Sequence, residues 1–133
     1  MVLLESAATL LPNADTHHLG YARDEATLEP RMYLNSLPAT FAPGTRVLVS
    51  DPMLATGGTM LAALEELTKR GATFANMRVV SAVAAPPALK KLSAKCPGLH
   101  IYTAMIDAQL DQQGYIVPGL GDAGDRAYGT AGK

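Results

Sequence analysis

Between Thr45 and Ile106 the chain runs through five segments of alternating period with almost nothing in between. RVLVS is an aliphatic, β-branched run, TMLAALEELTKRG has helical spacing, MRVVSAVAA is apolar again, APPALKKLSAKCPG opens on prolines, and LHIYTAMI closes the series. Strand, helix, strand, helix, strand in such tight succession confines the chain to right-handed βαβ units and a parallel sheet. The fold class is therefore α/β. RVLVS reads as a strand buried on both faces, as parallel strands usually are. In the first helix Met60, Leu61, Leu64 and Leu67 share one face, Lys69 and Arg70 suit the negative C-terminal end, and Gly71 falls at C′. Pro97-Gly98 ends the second helix.

The remainder is less periodic. Val2, Leu3, Ala7, Leu10 and Leu11 lie near helical spacing up to Pro12, and THHLGYA reads as a short strand. RDEATLEPRMYLNSLPATFAPG holds three of the nine prolines and no steady period; it reads as an extended arm or hairpin, with Tyr33 and Leu34 packing down. At 133 residues the chain is the size of one domain. Eleven basic and 12 acidic residues give a net charge of -1, which argues against a nucleic-acid surface. No apolar run approaches the ~18 residues of a membrane span. Met1 to Leu11 carries Glu5 and no basic flank, so no signal peptide is expected. Cys96 is alone, which excludes an internal disulfide and suits a reducing cytoplasmic setting.

Two segments can carry chemistry. In VLVSDPMLATGGT, residues 47–59, Asp51 stands at the C-terminal end of a strand, where open α/β sheets bind their ligands. ATGGT then leads into a helix N-terminus, whose N–H groups and Thr56 and Thr59 hydroxyls make an anion cradle suited to a phosphate monoester. The plainer reading is a glycine turn with Thr59 as N-cap. It is not a Walker A loop, because no Gly-Lys-Ser/Thr occurs. In GYIVPGLGDAGDRAYGT, residues 114–130, Gly119, Gly121 and Gly124 satisfy G-x-G-x-x-G, but only nine residues follow, too few for a dinucleotide-binding βαβ unit. The segment offers a backbone wall for a flat ligand, with Asp122 and Asp125 adding carboxylates; the alternative is a mobile glycine-rich tail.

DPMLATGGT, GYIVPGLGDAGDR, YARDEATLEP and the closing YGT together resemble the uracil phosphoribosyltransferase family, in order and spacing, from about Met1 to Thr130. The resemblance implies a type I phosphoribosyltransferase fold, a Rossmann-like parallel sheet with an extended arm. It also implies a reaction of uracil with phosphoribosyl diphosphate to give UMP and diphosphate. By motif match, Asp51, Pro52, Met53, Leu54, Ala55, Thr56, Gly57, Gly58 and Thr59 hold phosphoribosyl diphosphate, with ATGGT on the 5′-phosphate and Asp51 near the ribose hydroxyls. Arg23 contacts the same substrate. Ile116, Gly121, Asp122 and Ala123 contact uracil, and Asp122 also reaches the phosphoribosyl substrate as the candidate catalytic residue. The family implies Mg²⁺ carried with the diphosphate, a GTP effector, and a homo-oligomer, dimer or tetramer.

Family members carry an N-terminal portion ahead of the helix that Met1 to Leu11 matches, including an arginine loop. The expectation is thus a C-terminal part of such an enzyme, with an unpaired edge or uncovered apolar face where those elements pack. Any organelle address, a plastid one included, would belong to that portion. The alternative is a phosphoribosyl-binding regulatory domain without turnover; an RNA-binding regulator of this fold is disfavoured by the near-neutral charge. The remaining residues have plain readings. His17 and His18 face opposite ways on a strand and make a poor metal pair. His100 is an edge residue, Cys96 a small apolar one, and Asp107 and Asp111 flank a solvated turn. Met53 and Leu54 also help seat their loop.

Overall fold

β5, Met77–Ala84, is the strand on which the molecule is arranged, and the sequence dictates why. Its residues alternate between fully and partly buried along MRVVSAV, and it carries ladders on both edges. A computed structural model describes residues 3–23 and 30–130 of the chain. Before the sheet come helix α1 (Leu4–Leu10) and the antiparallel hairpin β1 (Leu19–Arg23) and β2 (Pro30–Asn35). Then follow β3 (Val47–Ser50), β4 (Met53–Leu54), α2 (Gly58–Lys69), β5, α3 (Pro86–Lys95) and β6 (His100–Ile106). A short hairpin, β7 (Gln109–Leu110) and β8 (Ile116–Val117), and helix α4 (Ala123–Tyr128) end the described chain.

β3 and then β4 pair in parallel with one edge of β5, and β6 pairs in parallel with the other. The α/β expectation holds, with every core element where periodicity put it. Met60, Leu64 and Leu67 of α2 and Ala88 and Leu92 of α3 are buried against Met77 and Val79, with Val47, Val49, Leu61 and Ile101 closing round them. α2 ends in a Schellman motif: Ala72 N–H donates to the Leu67 carbonyl (3.2 Å) and Gly71 N–H to that of Thr68 (3.0 Å).

Two expectations are corrected. RVLVS is buried on one face only. β3, β5 and β6 step in one direction across the sheet, so two right-handed crossovers leave α2 and α3 on the same side. The residues between the core positions look the other way: Leu48 and Tyr102 are 45 and 56% exposed. Among the described residues the outer edge of β3 is also unpaired. A hollow of about 980 Å³ runs along it, lined by Ala7 and Leu11, Leu37, Pro38, Thr40 and Phe41, β3 and the inner face of α2. The uncovered apolar face and free edge expected from the resemblance are thus present. Secondly, Tyr33 and Leu34 do not pack down onto the body; they are 73 and 46% exposed. The Tyr33 ring instead lies across Gly20 on the partner strand of its own hairpin.

Candidate active site

The strand that β3 begins is interrupted at Asp51-Pro52 and resumes as β4, so what reads as loop at Met53–Leu54 is a second short ladder on β5. The interruption is held by hydrogen bonds. Asp51 N–H donates to the Val80 carbonyl (3.1 Å), and the Pro52 carbonyl accepts from the N–H groups of both Ala82 (3.1 Å) and Val83 (3.2 Å). Two residues of β5 thus serve one carbonyl, the two-against-one count of a bulge. Ser81, buried, directs its hydroxyl between the carbonyls of Val83 (2.9 Å) and Pro52 (3.2 Å). Proline is tolerated here because a bulge needs no N–H from it.

The bulge aims Asp51. Its Oδ1 accepts from Met53 N–H at 3.1 Å, and the side chain stays partly buried. Burial pushes its pKa above the usual carboxylate value, and the Met53 hydrogen bond offsets part of that. A carboxylate whose charged form burial disfavours, at the end of a parallel strand, is a candidate functional position.

Beyond β4 the chain turns into α2. The N-cap is Gly57, not Thr59, with φ of 76° and no side chain capping the first turn. The N–H groups of Gly58, Thr59 and Met60 therefore lack both intrahelical acceptors and a side-chain cap. Together with the helix dipole, these groups are open to an anion such as a phosphate. Gly57 is fixed from two directions: a Cβ there would strain the left-handed backbone and stand 3.0 Å from Ala88 Cα.

The second motif folds against the first. Ile116 of β8 is buried in a cluster with Val83 and Ala85 at the end of β5, and Met53, Ala55 and Leu110 pack round it. So DPMLAT and GYIVPG, 60 residues apart in sequence, share one apolar seat. Pro118 follows a cis bond, and the chain then turns through Gly119 and Gly121 into α4. Asp122 is the N-cap, its Oδ1 accepting from Asp125 N–H (3.0 Å). Asp125 in turn accepts from the Thr130 hydroxyl (2.6 Å), tying YGT back to GDAGD. The segment is a built turn and helix, not a loose tail.

The arm also reaches this region. Ser50, Pro52, Tyr128 and the β1–β2 hairpin at Leu19, Gly20, Tyr33 and Leu34 line one cavity of about 510 Å³. Arg23 ends β1; its side chain and residues 24–29 of YARDEATLEP lie outside the described residues.

A family model described as uracil phosphoribosyltransferase matches residues 1–130. The chain belongs to the uracil phosphoribosyltransferase family. The uracil phosphoribosyltransferase of Synechocystis sp. is 60% identical over 98% of this chain and 60% of its own length. The chloroplastic uracil phosphoribosyltransferase of Arabidopsis thaliana is 52% identical over 98% of this chain and 44% of its own. The solved structure of the AQ2163 protein from Aquifex aeolicus superposes with a TM-score of 0.87 at 41% identity, over 98% of this chain and 61% of that one. The chain thus spans about three-fifths of the Synechocystis relative and of the AQ2163 chain.

Reading the sequence for uracil phosphoribosyltransferase motifs missed two supporting residues, Ser81 and Asp107. Ser81 was one small residue in an apolar strand, legible only as a polar group that burial obliges to find a partner. Asp111 is exposed as expected, its Oδ1 accepting from Gln113 and Tyr115 N–H within the turn, whereas Asp107 is partly buried and its Oδ2 accepts from Gly119 N–H (2.9 Å). His17 and His18 precede β1 rather than lie on it. His17 Nδ1 meets the Ser36 carbonyl at 2.8 Å, and His100 is exposed at the start of β6. No helix among the described residues is long and apolar enough to cross a membrane.

Proposed function

We propose that this chain forms UMP from uracil and phosphoribosyl diphosphate, with diphosphate leaving. The observation that carries the reading is the shared seat of the two motifs, in which Met53 and Ala55 of the anion loop pack with Ile116 of the glycine turn. Asp51 and the open N–H groups before α2 then serve a phosphoribosyl group, while the backbone of Ile116, Gly121 and Ala123 serves the flat base. Displacement at the anomeric carbon builds positive charge on the ribose, and carboxylates near it lower that barrier. A base whose donor and acceptor edge mismatches the backbone wall leaves buried groups unpaired, which supplies specificity.

Mg²⁺ enters this reading with the substrate. The described residues contain no group of three or more His, Cys, Asp or Glu side chains, so a hard cation would take its ligands chiefly from diphosphate oxygens and water. Its chemistry would be to screen the leaving diphosphate. A GTP effector, assembly into a homo-oligomer, and a cytoplasmic or plastid location belong to the same proposal. The chloroplastic relative supports the plastid arm, and the free β3 edge suits assembly.

The test is UMP formation from uracil, phosphoribosyl diphosphate and Mg²⁺, with Asp122→Asn as the control. Asparagine caps a helix as well as aspartate does, so the variant keeps α4 and removes only the charge. Turnover lower by about 100-fold or more is expected if Asp122 acts on the reacting atoms. Ligands that raise the melting temperature of the wild-type chain without product would replace this reading with a non-catalytic phosphoribosyl-binding domain.

A further inference from the structure

Asp107 lies outside every motif that carries the resemblance, yet it joins the sheet to the glycine turn. It directly follows β6, and its own N–H donates to the Ala84 carbonyl at 2.9 Å, which fixes it to the end of β5. Its carboxylate Oδ2 then accepts from Gly119 N–H at 2.9 Å, across 12 residues of chain and in a partly buried setting. Gly119 needs such an anchor. It sits at φ of 49°, and a Cβ there would overlap the Ile116 carbonyl oxygen, so the turn is tight and permits no side chain of its own. The two residues beyond Gly119 lead to Gly121, and Asp122 then opens α4.

We infer that Asp107 is the positioning residue of the base site: it fixes the Gly119 amide and thereby the spacing of the Ile116 and Gly121–Ala123 backbone that reads uracil. This inference rests on the uracil reading above. Asp107 touches no substrate; it acts through the Gly119 N–H. The 5′-phosphate cradle is held separately, by the Pro52 carbonyl and Gly57, so loss of the anchor should fall more heavily on uracil than on phosphoribosyl diphosphate.

Asp107→Ala removes the acceptor, whereas Asp107→Asn keeps an oxygen able to accept from Gly119. With kcat and KM measured for both substrates, the alanine variant should raise KM for uracil on the order of 10-fold or more, the effect of losing a charge-assisted hydrogen bond. KM for phosphoribosyl diphosphate should rise several-fold less, and asparagine should recover most of the loss. Equal rises in both KM values, or an asparagine variant as impaired as alanine, would overturn the assignment. Hydrogen exchange over residues 115–123 in the same three proteins separates the anchor from the substrate reading. A wild-type chain that makes no UMP removes the uracil reading, and the exchange data then decide the anchor alone. Faster exchange at Gly119 in the alanine variant and not in asparagine supports it; equal exchange in all three proteins ends it.

Discussion

Gly57 and Gly58 are neighbours in the anion loop under opposite constraints. Gly57 is buried, left-handed and pressed on the backbone of Ala88, while a Cβ on Gly58 would meet only the Thr56 hydroxyl, at 3.8 Å. Gly57→Ala should therefore cost about 1–3 kcal/mol, since both the backbone and α3 must give. Gly58→Ala, at the first helical position, should leave stability unchanged or raise it by a few tenths of a kcal/mol to ~1 kcal/mol. Thermal melts decide: a Gly57→Ala protein as stable as its Gly58→Ala sibling would contradict the packing. Asp51 supplies a pH signature. Its folded-state pKa is raised by burial, so the folded chain prefers it protonated, and its ionisation destabilises the fold at neutral pH. That penalty disappears as pH falls through the raised pKa into the ordinary carboxylate range. Asp51→Asn keeps an acceptor for Met53 N–H and carries no charge. It should melt higher than the wild type at pH 7, with the gap closing toward pH 4, and a gap independent of pH would refute the burial argument. The comparison cancels Glu66, whose pKa is lowered chiefly by its hydrogen bond from Arg70 and which therefore acts in the opposite sense.

At the scale of elements, α2 and α3 could be read from spacing, first-turn prolines and Gly71 because each feature is local and repeated. β4 could not. Two residues show no period, and Pro52 before them argues against a strand until the bulge that admits it is seen. α4 has six residues and begins on Ala-Gly, so its only legible signs were Asp122 three residues ahead of Asp125 and Gly129 past its end. The arm was legible as an arm, but its tether was not. Arg70 donates through Nε and Nη2 to Glu66 Oε1 (3.1 and 2.8 Å) and through Nη1 to the Pro38 carbonyl (2.6 Å). Asn35 also donates to Glu66, at 3.1 Å, and Phe41 N–H to the Arg70 carbonyl, at 2.7 Å. A planar fork reaches Glu66 and the Pro38 carbonyl together and a lysine ammonium cannot. Arg70→Lys should thus accelerate hydrogen exchange over residues 35–41 by roughly 10-fold, while α3 and β6 keep their protection. Uniform acceleration across the chain would mean that Arg70 supports the core and not the arm.

For the whole molecule, the sheet's two faces were the feature that local patterning misjudged. β3 and β5 are apolar at nearly every position, the composition of strands covered twice, yet α2 and α3 cover one side. Chain direction decides this, and no five-residue window contains it. Parallel sheets are ordinarily buried on both faces. The family relatives are longer than the match, and the bare face and the free β3 edge are where further polypeptide could add a layer without disturbing the motifs. Leu48 and Tyr102 stand on that face at about half exposure, apolar surface of the kind that marks an interface. The isolated chain should therefore bind the dye 8-anilinonaphthalene-1-sulfonate while its near-ultraviolet circular dichroism stays that of a packed protein, which separates an open face from a loosened core. Leu48→Lys with Tyr102→Lys should lower the bound fluorescence by about half or more and leave the melting temperature nearly unchanged, because neither side chain belongs to the buried cluster. Dye binding that survives both lysines would locate the exposed apolar surface elsewhere, in the hollow beneath α1, where Leu11 and Phe41 would be the positions to change next.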